Sequence, residues 1–262
     1  MNKPEIKFDN GATYDYYMGV WSRLVGNAFL DWLAAPAGLR WLDVGCGNGA
    51  FTRLLAGRSQ PASLDGVDPS AAMLDFARSV PELATAHFRQ GNAMALPYPA
   101  HSFDAAIMPL VIFFVPEPAR GVAEMARVVR PGGLVTAYGW DMVGGGFPYH
   151  AGRDELEDMG ARAPEEPSRD ASRPDVLLDL WKTAGLTDIE PHTFTVERTY
   201  PDFDDYWTTV LTGPATSSIL RSMETDQLAQ LRERLQKRLP PDSKGRITCR
   251  ARANAIRGRV PG

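Results

Sequence analysis

The stretch WLDVGCGNGAF, from Trp41 to Phe51, sets Gly45 and Gly47 two residues apart with Ala50 three positions further on, the spacing G-x-G-x-x-A. Glycines at this spacing keep side chains out of a turn where backbone must come close to a ligand. A helix opening at their end offers its free N–H groups to a polar or anionic part of that ligand. Taken alone, the spacing fits the dinucleotide turn of a nicotinamide or flavin enzyme. Asp43 argues against that reading, because a carboxylate just ahead of the glycines would repel a pyrophosphate and attract an ammonium or sulfonium group. Asp68 closes the next apolar run, where an acidic residue of such folds accepts hydrogen bonds from ribose hydroxyls. An adenosine-containing ligand with a cationic portion satisfies both carboxylates.

Elements must hold these residues in place. From Leu39 to Trp140 short apolar runs alternate with helix-like stretches, which predicts strand-helix units around a parallel sheet. The runs are Arg40 to Gly45, Ala62 to Asp68, Ala86 to Asn92, Phe103 to Leu110 and Gly133 to Trp140. Between them GAFTRLLAG, SAAMLDFARSV and EPARGVAEMARVV carry apolar positions at helical spacing, the last ending at Pro131-Gly132-Gly133. After Asp141, VGGGFP reads as flexible, and Val143 to Arg173, rich in Gly, Pro and charge, is expected to be disordered without ligand. VLLDLWKTAGL then reads as a helix, IEPHTFTVERTY as a strand, Phe203 to Leu239 as mostly helical and GRITCRARANAIRG as a last strand.

LDVGCGNG, GVDPSAAMLDFAR, GNAMALPYPAHSFDAA and VPEPARGVAEMARVVRPGG occur in this order over about a hundred residues. In this the sequence resembles the class I S-adenosylmethionine-dependent methyltransferases, in particular the ubiquinone/menaquinone-biosynthesis-like small-molecule branch, methyltransferase type 11. The resemblance implies a Rossmann-like α/β fold: a seven-stranded, mostly parallel sheet with one antiparallel strand, helices on both faces, an N-terminal helical cap and a helical elaboration near the C-terminus. It divides the chain into a cap or lid at 1–38, a cofactor-binding core at 39–141, and an insertion with the substrate-side elaboration and last strands at 142–262. It implies S-adenosyl-L-methionine as cofactor and S-adenosyl-L-homocysteine as product. Asp43, Gly45 and Gly47 would hold the methionine portion, Asp68 the ribose, Met73 the adenine face, and Asn92 with the Ala93 N–H the adenine edge. Asn92 departs from the Gly-Asp-Ala usual in the family, keeping the acceptor and losing the charge. Leu110 would border the amino-acid end through its backbone. Phe113 and Phe114 stand where many relatives carry two histidines, so any role of those histidines does not transfer.

In this reading Tyr17, Trp21 and Arg23, on an aromatic-rich helix, close over the cofactor, with Arg23 facing the methionine carboxylate. Methyl transfer is an in-line displacement that needs alignment and exclusion of water more than a dedicated base. Asp141, at the carboxyl end of the fifth strand, is the candidate catalytic residue, ahead of His150 and His192. The segment Phe203 to Trp207 is a candidate pocket wall or ordinary packing. Two readings stand beside methyl transfer to an O, N or C nucleophile of a small molecule: a catalytically silent methyltransferase-like binding protein, and an NAD-dependent oxidoreductase.

Bulk properties bound the rest. The 262 residues, 44% hydrophobic and 23% charged, can bury a full core. The formal net charge of −4 gives no general footprint for nucleic acid, and the arginines from Arg246 to Arg259 read as the solvated side of a strand. Cys46 and Cys249 are too few for a cysteine-rich metal site or a disulfide framework, and no metal is expected. No apolar run approaches about 18 residues, so no membrane span or export signal is expected, and the expected location is the cytoplasm. The expected partner is a small-molecule substrate; a homodimer is the one self-association considered.

Overall fold

The computed structural model describes residues 15–162, 164–213 and 217–262. Residues 1–14 of the cap expected at 1–38, Tyr14 among them, lie outside the described residues. The strands are β1 (Arg40–Val44), β2 (Ser63–Asp68), β3 (His87–Gln90), β4 (Phe103–Pro109), β5 (Val129–Trp140), β6 (Thr187–Tyr200) and β7 (Ile247–Arg259). They form one sheet in the order β3-β2-β1-β4-β5-β7-β6. Every neighbour from β3 to β5 is parallel, whereas β7 runs antiparallel to both β5 and β6. A dinucleotide fold places its sixth strand beside its fifth. Here β7 occupies that position.

The helices are α1 (Val20–Leu33), α2 (Ala50–Ser59), α3 (Ala71–Ser79), α4 (Pro118–Val128), α5 (His150–Asp158), α6 (Pro174–Thr183), α7 (Phe203–Leu211), α8 (Ser217–Ser222) and α9 (Thr225–Arg238). On one face Phe29 of α1 lies 4.6 Å from Tyr138 and 6.2 Å from Phe51 of α2. On the other face Trp181 of α6 donates its indole N–H to the Val135 carbonyl at 3.1 Å, and Gly258 leaves the room that ring needs. Apart from Asp43, the buried residues of β1 and β4 are apolar on both faces, as in a parallel sheet covered by helices. Pro131-Gly132-Gly133 neither ends α4, which stops at Val128, nor separates it from a later strand. β5 begins at Val129, and the register shifts between Phe103 and Ala105, so the Pro-Gly-Gly residues form an irregularity at the strand's start.

The segment 143–173 departs from its expectation of disorder. It holds α5 and a short 3-10 turn at Arg169–Ser172, tied down at several points. Met142 N donates to Ser172 Oγ at 3.1 Å, Asn254 Nδ2 to the Ser172 carbonyl at 2.9 Å, and Arg169 to the Met142 carbonyl at 2.8 Å. Arg153 pairs at 2.6 Å with Glu166, which is 5% exposed. These partners are remote in sequence, so local composition does not disclose them.

β6 and β7 continue past the sheet's carboxyl edge. Trp140, the last residue of β5, pairs with Ala253, and the β6–β7 pairing runs on from Thr195↔Arg252 to Tyr200↔Ile247. Phe194, Val196, Arg198 and Tyr200 face the α1 side of this ribbon, and the residues between them face the other.

Candidate functional site

The site begins in the turn after β1. Gly45, Gly47 and Gly49 all take positive φ, at +76°, +53° and +80°, a region that L side chains rarely enter. A Cβ on Gly45 would lie 2.6 Å from both methyl carbons of Val111, whereas one on Gly47 would meet only the Met73 methyl at 3.5 Å. Gly45 is therefore needed for packing, and Gly47 keeps open the approach to the turn.

Asp68 links the glycine turn to the next one. Its Oδ2 accepts from Gly47 N and its Oδ1 from Ser70 N, each at 2.9 Å, and Ser70 caps α3. Each oxygen keeps a lone pair for a further donor, such as a ribose hydroxyl. Burial raises the carboxyl above its ordinary range, and the two backbone hydrogen bonds work against that shift.

Asp43 is fully buried at the end of β1. Thr52, in the first turn of α2, donates its hydroxyl to Asp43 Oδ2 at 2.7 Å, and Oδ1 has no partner. Burial pushes the carboxyl up to about 7, with Asp68 adding repulsion and the Thr52 hydrogen bond opposing both. A buried acceptor without a donor carries a penalty of about 1–3 kcal/mol, which a ligand bringing a positive charge or N–H donors would relieve. Two carboxylates of unused acceptor capacity beside an open glycine turn fit a cationic, hydroxyl-bearing ligand. The dinucleotide alternative would place a pyrophosphate beside Asp43.

Of the remaining predicted binding residues, Met73 meets this turn directly, and Leu110 adjoins Val111, whose methyl groups pack at Gly45. Met73 is buried with its methyl toward Gly47. Asn92 is exposed after β3, its Oδ1 accepting from Met94 N at 2.9 Å, a turn that fixes the amide. Ala93 follows it, half-buried. Leu110 directly follows β4 in the left-handed region at φ +58°, its N–H donating to the Tyr138 carbonyl at 2.7 Å, a strained arrangement for a branched side chain. Tyr17 and Trp21 are buried in an aromatic cluster. Tyr17 stacks on Tyr149 at 4.3 Å, and Trp21 meets Trp140 and Tyr149 edge-on. Arg23 lies half-buried on α1.

Asp141 stands at the carboxyl end of β5, but its carboxylate is engaged. Oδ2 accepts from Arg252 Nε at 2.9 Å and from its terminal nitrogen at 2.6 Å, and Oδ1 accepts from Gly144 N at 2.8 Å. Arg252 also donates to the Gly144 carbonyl at 2.7 Å. Both carboxylate oxygens thus already have donors, one from the loop backbone and two from the guanidinium. The place of Asp141 in the structure is a clamp on the glycine loop. His150 turns its ring to the Phe147 carbonyl, and His192 stacks on Trp32 at the sheet's far edge, 5.3 Å away. Phe113 is core, packed beside Gly139. Thr52 and Val111 belong to the site although neither carries a motif, since only the fold brings them to Asp43 and Gly45. Among the described residues no group of His, Cys, Asp or Glu is arranged to hold a metal ion.

The sheet order with its antiparallel seventh strand, together with this glycine turn, defines the class I methyltransferase fold. Residues 42–137 match the family model described as "Methyltransferase domain". The chain is similar to the fatty-acid O-methyltransferase of Mycolicibacterium smegmatis, 38% identical over 96 residues, which are 37% of this chain and 35% of that protein. It is likewise similar to the demethylmenaquinone methyltransferase of Bacillus licheniformis, 38% identical over 102 residues, 38% of this chain and 44% of the relative. The matched stretch thus spans less than half of each of these relatives. Among solved structures, the phosphoethanolamine N-methyltransferase 2 of Haemonchus contortus in complex with S-adenosyl-L-methionine superposes with a TM-score of 0.60 at 18% identity, over 96% of this chain and 56% of that one. That likeness speaks for the fold.

Proposed function

We propose that the protein transfers a methyl group from S-adenosyl-L-methionine to a small-molecule acceptor and releases S-adenosyl-L-homocysteine. The observation that carries this reading is Asp43: a fully buried carboxylate with one unpartnered oxygen beside a positive-φ glycine turn. The matched relatives, named for fatty-acid and demethylmenaquinone methylation, support a small-molecule acceptor. When bound, the sulfonium supplies an electrophilic methyl group and a neutral leaving group.

The chain's own residues bind and orient. Asp43 faces the cationic amino-acid portion, with Gly45, Gly47 and the Leu110 backbone around it. Asp68 accepts from the ribose hydroxyls, Met73 packs on the adenine, and Asn92 and the Ala93 N–H meet its edge. Tyr17, Trp21 and Arg23 exclude water from above. Residues 1–38 act as the cap, 39–141 as the cofactor-binding core, and 142–262 build the acceptor side. With Asp141 engaged by Arg252, alignment in a dry site does the work, and the acceptor loses its proton to solvent or to the leaving complex's surroundings rather than to that carboxylate. Two buried free cysteines suit a reducing cytoplasm, and among the described residues no helix is long and apolar enough to cross a membrane.

Calorimetric titration with S-adenosyl-L-methionine, S-adenosyl-L-homocysteine and NAD tests the cofactor. Binding of the first two without NAD is expected, and binding of NAD alone would overturn the reading. Transfer of labelled methyl then separates an enzyme from a silent binding protein.

A further inference from the structure

β6 ends the sheet, and the direction of its backbone groups follows from the hydrogen bonds of β7. Arg252 N donates to the Gly146 carbonyl and the Arg252 carbonyl accepts from Asp141 N, each at 2.9 Å. Val260 exchanges the same kind of bonds with Gly132 and Gly133. The even-numbered residues of β7 therefore turn their N–H and C=O toward β5, and the odd-numbered ones turn theirs toward β6. Ala253 pairs with Phe194, Ala251 with Val196 and Cys249 with Arg198. These β6 residues direct their backbone groups at β7, which leaves those of Thr193, Thr195, Glu197 and Thr199 pointing away from the sheet. All four residues are exposed, and among the described residues no backbone hydrogen bond outside the β6–β7 ladder reaches them.

The two halves of β6 treat this edge differently. Near its start Asp188 takes φ +48°, the register shifts between Thr187 and Glu190, and Pro191, which falls in the outward set, has no N–H to offer. An irregular register and an outward proline are devices that keep an edge strand from pairing. From His192 to Tyr200 the register with β7 is unbroken, and HTFTVERTY contains no proline, glycine or lysine. The single charge of the outward set, Glu197, is neutralised by Arg250 at 2.6 Å.

We propose that the edge from Thr193 to Thr199 pairs antiparallel with the same edge of a second copy of this chain, about a two-fold axis at Val196, joining two seven-stranded sheets into one. In this register Thr193 lies opposite Thr199 of the second copy and Thr195 opposite its Glu197. Each such pair exchanges two backbone hydrogen bonds, so the outward residues satisfy one another and none is left over. Val196 meets its own counterpart in the close, non-hydrogen-bonded position, and Arg198 stands opposite Phe194 of the second copy, so no like charges are directly opposed. Neighbouring registers are poorer. An axis at Glu197 sets two glutamates face to face, and one at Thr195 puts Thr199 against Pro191, which lacks the N–H. Identical strands related by a two-fold run antiparallel, and the pairing closes with both β6 edges covered.

Sedimentation equilibrium on the full chain tests this surface. A species of twice the mass of one chain is expected, in concentration-dependent equilibrium with the monomer. Thr195→Pro removes an N–H that β7 does not use, and should weaken the dimer by roughly tenfold or more while leaving the circular dichroism of the fold unchanged. Cysteine cross-linking reads the register. With copper phenanthroline in air as the oxidant, Val196→Cys should join two copies, because residues facing each other across the axis hold their Cβ atoms about 4.5–5.5 Å apart. Thr193→Cys should not, its counterpart lying roughly 20 Å away. The native Cys46 and Cys249 are buried. A monomer at every concentration, a dimer that Thr195→Pro leaves equally tight, or cross-linking through Thr193→Cys in place of Val196→Cys would each overturn the proposal. Should Thr195→Pro fail to fold, the two cysteine variants decide alone.

Discussion

Asp43 makes its contribution to binding depend on pH. Its carboxyl titrates near 7 in the ligand-free fold because burial opposes the charge, and a cationic ligand needs that charge. Affinity for S-adenosyl-L-methionine should fall by up to about tenfold per pH unit below 7, and Asp43→Asn should bind more weakly with a flat profile, measured by calorimetry between pH 6 and 8. Stability carries the opposite sign. Between the unfolded carboxyl value near 4 and the folded value near 7 the fold holds a proton that the unfolded chain has released, so this residue's contribution declines as pH rises through that window. Thermal unfolding of Asp43→Asn should therefore gain on the parent protein across that range and level off above it. Asp68→Ala should weaken cofactor binding by about 2–4 kcal/mol and leave the fold intact, because it removes charge-assisted acceptors. Unchanged affinity would remove Asp68 from the site. Gly45→Ala and Gly47→Ala should separate packing from access. The first puts a Cβ against Val111 and should destabilise the fold by more than 2 kcal/mol, with partial rescue by Val111→Ala. The second should cost about 1–2 kcal/mol of stability and lose far more in cofactor affinity.

At the scale of elements, the clamp between Asp141 and Arg252 fixes the loop that follows β5. Asp141→Asn and Arg252→Gln should each raise amide exchange at 143–146, and the double variant should be no worse than either alone, since both break one interaction. The strands and the crossover helices of the core were readable from apolar runs and glycine spacing, because parallel strands buried on both faces announce themselves locally. Asp43, Gly47 and Asp68 were readable for the same reason, each falling at a strand end or in the turn beside one. What was not readable depends on remote partners. α5 carries few apolar residues and docks through Glu155 and Asp154 to Arg234 and Arg238 of α9, so composition suggested disorder where ion pairs supply order. Thr52 and Val111 sit in no motif, and they reach Asp43 and Gly45 only through the fold.

At the scale of the molecule, a ligand seated between β1, β2 and β4 joins the part of the sheet that carries the glycine turn to the helices above it. Saturation with S-adenosyl-L-homocysteine at a hundred times its dissociation constant should stabilise the fold by about 2.7 kcal/mol and raise Tm by roughly 5–10 °C in a thermal-shift measurement, with no shift for NAD. The strand order has a further effect, on the ribosome. Among the described residues β6 has β7 as its sole strand partner, and β7 is translated only after the helices of 201–246. While those helices are being made, β5 presents an open edge and β6 lacks its strand partner, so the emerging chain can complete β1 to β5 early but cannot complete the sheet. The glycine turn is in place before the β6–β7 side of the sheet.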